Sequence, residues 1–492
     1  MYQATRLSLF AATLVLAAGY AVGQEKEPEN DKPKESPANA TKTAETNADI
    51  RELTIHGAPE TKPALRDHLL PSFLEQTPQN AAPLYLRAFV MLGDIRNNAE
   101  DDELVAKWLN ETPLDKLPIA DARALLGRYQ SALAETATAA RREHCDWGLP
   151  VRESGTELFS MLLPDVQQAR RIARLLALQA RVEIATGEFE QAVTTLRTLF
   201  SVSRHVARQP FLISGLVGLA IASQGLDVVE DFARASEAPN LYWPLTNLPA
   251  PLVDLQPGLH LEHDTVFLVF PELRDVQSSK FADEEWDRRA AELLARGQAM
   301  AAEFAPEAQD EVSQELAKLK SIEKAYESAK HRSIARGRQE ADLAKMPKSR
   351  VVLLDMAESF AEVRDEMFKA FGLPYPQAEK VLKEADAAIA KAKTMGYGGQ
   401  LAGLLLPAVQ AVKAASTRGQ AKIDALRCIE ALRMHAARHG QLPASLDEVT
   451  VVPIPINPLT GKPFPYRLEG GVAELDLQDS QRPIVYRLRL AK

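Results

Sequence analysis

The chain has 492 residues and a formal net charge of −9, with 46% hydrophobic and 25% charged residues. That length and balance suit a globular protein of two or more domains and exclude a wholly disordered chain. Phosphate binding needs a basic face, so the acidic surplus gives no reason to expect a nucleic-acid partner.

Read from the start, Arg6 precedes an apolar run from Leu7 to Ala18, and Ala21-Val22-Gly23 places small residues at −3 and −1 of a cleavage site. This is the pattern of a secretory signal peptide over residues 1–23, and the run is short for a membrane span. The chain is therefore expected to be exported, periplasmic or secreted, and to begin near Gln24 when mature. Residues 24–50 carry almost no large apolar side chain. They cannot bury enough surface to offset the entropy of ordering, so this stretch reads as a disordered linker.

Residues 51–255 read as a helical domain. Pro83 suits the first turn of one helix, a second covers Asp102 to Leu109, and a third starts at Pro118 with Leu125, Tyr129 and Leu133 at helical spacing. Gly187 with Phe189 and Ala192 resembles the turn of a tetratricopeptide helix pair, a single unit where about three are needed to stand alone. The stripe continues through Leu196, Leu199 and Val202. Phe211 to Ala222 is apolar on nearly every face and reads as a buried core helix.

A Pro-rich break around Pro239 to Pro251 leads to residues 256–398, read as long amphipathic, coiled-coil-like helices. Over residues 281–346 the stripe is Val312, Leu316, Leu319, Ile322, Tyr326 and Ala329. Leu353, Met356, Phe360, Val363, Met367 and Phe371 form a second stripe, stopped by Gly372 and Pro374, and a third helix covers Gln377 to Met395.

Two constellations could carry chemistry. His260 and His263 lie three apart, with Asp264 four from His260, a candidate metal-binding helix face that lacks the spacing of the zinc-protease motif. His144 beside Cys145 could supply ligands or a nucleophilic pair, but neighbouring residues rarely point the same way. Cys145 and Cys428 permit one disulfide, while Cys428 also sits in an apolar stripe where a free buried thiol fits. No Gly-rich phosphate loop, nucleophile elbow or zinc signature is present in the sequence. No cofactor, catalytic residue or small-molecule substrate is therefore inferred.

The last fifth of the chain is the most specific. Leu404-Leu405-Leu406-Pro407-Ala408-Val409-Gln410 opens a helix continued by Ile423, Leu426, Ile429 and Leu432. His439-Gly440 and Pro443 end it, Asn457-Pro458-Leu459-Thr460-Gly461 makes a turn, and strands follow at Phe464–Leu468, Val472–Leu477 and Ile484–Leu490. This order over residues 399–492 resembles a bacterial type IV pilin or type II secretion pseudopilin. The arrangement of the whole chain resembles large uncharacterised exported proteins of planctomycete-type bacteria. The resemblance implies a helix packed on a short antiparallel sheet. The prepilin cleavage sequence of that family is missing, and Glu474, Asp476 and Asp479 are too few oxygens for its calcium loop.

The expected fold is mainly α, built of helical hairpins and long amphipathic helices, with a small C-terminal α+β module. The expected role is a non-catalytic helical scaffold that contacts other envelope proteins. The alternatives are a metal-dependent enzyme at His260, His263 and Asp264, and a peptide-binding helical-repeat module.

Overall fold

The computed structural model describes residues 48–93, 98–155, 158, 164–277, 280–304, 322–392, 396, 398–399, 401–402 and 406–491. Strand β1 (Asp49–Ile55) is followed by β2 (Thr77–Asn80) and helices α1 (Ala82–Gly93), α2 (Asn98–Asn110), α3 (Ile119–Arg128) and α4 (Gln130–Ala140). A short β3 (Arg142–His144) pairs in parallel with β2. Three long helices come next: α5 (Pro164–Ala185), α6 (Phe189–Val206) and α7 (Leu212–Arg234). Then come α8 (Tyr242–Thr246), α9 (Gln256–Val269), α10 (Pro271–Arg274), α11 (Asp283–Phe304), α12 (Ile322–Ala335), α13 (Glu340–Leu343), α14 (Lys348–Phe368) and α15 (Tyr375–Ala392). The long α16 (Pro407–His439) leads into the hairpin β4 (Ile456–Asn457) and β5 (Lys462–Pro463), then β6 (Tyr466–Glu469), β7 (Val472–Asp476) and β8 (Ile484–Leu490).

The protein is thus mainly α with a small C-terminal sheet, as its helix-forming composition and period-two tail require. Helices α5, α6 and α7 pack as consecutive antiparallel hairpins. Gly187 turns the first with φ +78°, a conformation that costs glycine little. At Gly218 of α7 a Cβ would lie 2.6 Å from the Ser203 carbonyl, so only glycine permits this approach to α6. Helix α7 is, among the described residues, the one helix long and apolar enough to cross a membrane, yet two-thirds (67%) of its apolar window is buried in the protein. It is the core helix expected from Phe211 to Ala222, extended by another three turns.

The C-terminal elements fall close to their expected places. Helix α16 stops at His439, where Gly440 takes a left-handed φ of +70° and donates its N–H to Ala436. Asn457 anchors the next turn: its carbonyl accepts Gly461 N–H at 2.8 Å, and its side chain donates to Leu477 and accepts from Leu459. Strands β6, β7 and β8 are antiparallel neighbours.

The fourth strand of that sheet comes from the opposite end of the chain. Its order is β1-β8-β7-β6, and β1 runs parallel to β8 in the register Asp49↔Ile484 through Ile55↔Leu490. This corrects the division at 50/51 and at 398/399. Asp49 and Ile50 belong to a strand, not to a disordered linker. The helical region and the C-terminal module share one continuous core that includes Leu53, Ile55, Leu226, Phe232, Leu426, Leu432 and Leu488. The physical reason is burial: the inward faces of β1 and β8 are covered by α7 and α16, so neither end of the chain could bury its apolar residues alone.

The long coiled-coil-like helix over 281–346 is also corrected. Val312, Leu316 and Leu319 lie outside the described residues. The chain turns after α12 at Gly337, φ +97°, so that helix does not run on to residue 346. Helix α12 lies on α14 and is clamped there, because Arg332 and Arg336 both bind the buried Asp355 carboxylate, at 2.6 and 2.7 Å. Charge that reads as a solvated face is here spent between helices. In the second stripe Leu353, Met356, Phe360, Val363 and Met367 are buried, and Phe371 is half-buried against the same core. The third helix ends at Ala392, and Lys393 to Met395 lie outside the described residues.

Candidate functional site

A cleft of about 1540 Å³ is bounded by β1, the segment Leu109–Leu117, α5 and α7. Its floor is an ion-pair network that joins distant parts of the chain. Arg51 of β1 donates to Asp227 and Glu230 of α7, both at 2.6 Å. Lys422 of α16 reaches the same two carboxylates, bonding to Asp227 and lying 3.6 Å from Glu230. Tyr486 of β8 donates its hydroxyl to Glu230 at 2.9 Å. One helical turn on, Asp231 holds Arg181 of α5 at 2.8 Å, and Arg181 also donates to the carbonyls of Trp108 and Thr112.

Periodicity explains the helix contribution. Asp227, Glu230, Asp231 and Arg234 lie at i, i+3, i+4 and i+7, so they share one face of α7. Burial, followed by the charge of Glu230, holds the Tyr486 hydroxyl well above its ordinary value. Burial pulls the Arg51 guanidinium down, and Asp227 and Glu230 outweigh it and raise it. The floor is accordingly a set of satisfied pairs. The network ties β1, α5, α16 and β8 to one face of α7.

Strand β1 forms one wall. Asp49 donates its N–H to Pro483, and the Ile55 carbonyl accepts from Ala491. In a parallel ladder of this register the odd-numbered residues turn their backbone groups to β8, and Ile50, Glu52 and Thr54 turn theirs the other way. All three line the cleft. Among the described residues β1 has a sheet neighbour on one side only, so this edge is open. Ile50, 47% exposed, adds an apolar contact at its mouth.

The sites expected from the sequence are placed as follows. His263 of α9 bonds Asp264 at 2.7 Å, faces Asp365 of α14 at 3.6 Å and packs edge-on against Phe368. His260 is exposed and joins none of them. Between the two, Glu262 is pushed up to about 7 by burial. Glu474 is held by Arg467 and Arg487, and Asp476 and Asp479 accept backbone N–H groups of their own loop. Among the described residues no group of three or more His, Cys, Asp or Glu side chains is placed to hold a metal ion.

His144 and Cys145 do not form a pair: His144 is exposed and Cys145 buried, as neighbours in an extended segment must diverge. Cys145 and Cys428 are both free, and burial raises the Cys145 thiol to about 12, so it is unreactive packing. Beside it lies an aromatic box the sequence did not signal. Tyr85 stacks on Trp147 and its hydroxyl meets Nδ1 of the buried His205 at 2.9 Å, while Trp147 donates to the His205 carbonyl.

Burial, then Arg208 and Arg204, lower His205 from 6.5 to about 3. Between those values the unfolded chain binds a proton that the folded chain refuses. Stability contributed by the neutral ring is therefore complete above pH 6.5 and falls as pH drops toward 3, by about 1.4 kcal/mol per unit. Urea titrations of the parent and His205→Gln at pH 6 and pH 4 should differ by that slope; equal slopes would show that the ring titrates normally.

No protein-family model, curated protein or solved structure matches this chain.

Proposed function

We propose that the protein is an exported, non-catalytic helical scaffold that works through protein contacts at the cell envelope. Its contact surface is the open edge of β1, where an extended segment of a partner protein adds as a further strand within the cleft. The observation that carries this reading is the outward row of backbone groups of Ile50, Glu52 and Thr54 beside a cavity of about 1540 Å³. Main-chain bonds to such an edge supply affinity, and the flanking side chains supply selectivity. Arg174, Glu111 and Asp115 line the cleft and offer both signs of charge to a polar peptide. The ion pairs beneath hold the strand rigid, which lowers the entropy lost on binding. Export, the envelope location and the pseudopilin-like character of residues 399–492 rest on the sequence patterns given above. The single hairpin at Gly187 adds little to a repeat-module reading, since about three such units are needed to form a repeat array.

The test exploits the ladder geometry. Proline at position 52 removes only an N–H that points away from β8, so the sheet survives, as proline on edge strands does. Glu52→Pro should unfold within about 1 kcal/mol of the parent. Peptides selected on the parent from a random display library should lose at least roughly tenfold in affinity for Glu52→Pro. Peptides that bind both proteins equally would remove β1 as the contact surface.

A further inference from the structure

The sequence carries a second histidine spacing, His435-Ala-Ala-Arg-His439, in the last turn of α16. Residues four apart share a helix face, and two imidazoles so placed can chelate one ion. Here the two rings lie side by side, 4.3 Å between centroids and tilted by 34°. His439 is exposed and His435 is 7% exposed. Among the described residues neither ring makes a hydrogen bond to protein.

The turn is also held still. Ala58 donates its N–H to the Arg433 carbonyl at 3.1 Å, and Arg433 donates to His56 at 2.9 Å. Gly57 lies so close that a Cβ there would be 3.0 Å from the backbone nitrogen of Ala437. Two ligands fixed on a braced helical turn lose little freedom on binding. The nearest acidic influence is Glu448, whose carboxylate accepts the Ala444 N–H at 3.0 Å and acts on His435 through space.

We infer that His435 and His439 form a surface site for one divalent transition-metal ion of the class that favours imidazole, copper, nickel or zinc. The two rings supply two ligands and water completes the shell, an open arrangement in contrast to the closed four-ligand sites that support folding. The inference is independent of the peptide-binding reading, because the turn lies outside the cleft lined by β1.

The experiment is a titration of the full chain with Cu(II), and separately with Ni(II) and Zn(II), at pH 7.5. One equivalent of copper should bind, with two nitrogen couplings in its paramagnetic resonance spectrum and a rise in melting temperature. His439→Ala, at an exposed position, should retain the fold and lose affinity by more than roughly tenfold, the loss that even an outer partner can cause. His435→Ala should lose it equally, while His263→Ala should not. Absence of binding, binding unchanged in His439→Ala, or binding lost in His263→Ala would each overturn the assignment.

Discussion

Replacing Arg433 by Met, with Glu430 left in place, is expected to destabilise the protein by about 3–5 kcal/mol. Arg433 is fully buried and bonds both oxygens of Glu430, at 2.8 and 3.0 Å. It also donates to the carbonyls of His56 and Ala238. Glu430 in turn accepts the Leu241 N–H at 2.9 Å. One guanidinium therefore ties α16 to the chain leaving β1 and to the loop after α7. Met fills the volume but leaves a buried carboxylate without its cation and two carbonyls without donors. The double variant Arg433→Met, Glu430→Leu should recover part of the loss, since the stranded charge is gone while the orphaned backbone groups remain. Urea denaturation of the full chain provides the measurement. A loss below about 1 kcal/mol in the single variant would show that water replaces the guanidinium and that the pair is not closed to solvent.

Leu432→Ala and Leu426→Ala should each cost about 2–5 kcal/mol. Both side chains are almost completely buried in the core shared by α7, α16 and the sheet. Removing three carbons there loses transfer free energy and leaves a cavity whose walls, set by β1 as well as α16, cannot collapse. Phe73 and Leu74 supply the contrast. They are 88% and 92% exposed on the turn between β1 and β2, and their replacement by Ala should change stability by no more than about 0.5 kcal/mol. Because β1 completes the sheet, these comparisons belong to the full chain, and a fragment of residues 400–490 should not fold by itself. A stable, cooperatively melting fragment would show that β1 is dispensable.

Several elements were legible for local reasons. Tyr486, Leu488 and Leu490 alternate with arginines, and that alternation selects a half-buried strand wherever the chain goes. His439-Gly440 ends a helix because glycine adopts the left-handed turn at low cost. The all-apolar stretch after Phe211 could only be a core helix or a span. The stripe from Leu353 to Met367 has the period of a helix and packs as one. The His435/His439 spacing was equally available to reading, hidden because the same residues announce a helix end.

Strand β1 was not legible. Only Leu53 and Ile55 fall in phase on its inner face, Ile50 falls on the other, and a parallel partner more than 400 residues away leaves no mark nearby. The polar floor of the cleft was hidden for a related reason. Asp227, Glu230 and Asp231 look like the solvated side of a helix until Arg51, Lys422, Arg181 and Tyr486 arrive from four other elements. His260, His263 and Asp264 show the reverse: the spacing suggests a shared face, but His263 bonds Asp264 and lies 3.6 Å from Asp365 of α14, while His260 stands apart.

By itself, then, the sequence determined the helical class, the C-terminal strand set and the stops between them, since each depends on backbone preference and apolar period within a few residues. The tertiary structure alone decided that the two ends of the chain share one sheet, that one core replaces three domains, and that charges on separate helices meet around a cleft. Those outcomes depend on which distant surfaces exclude water together, and burial of that kind has no local period to read.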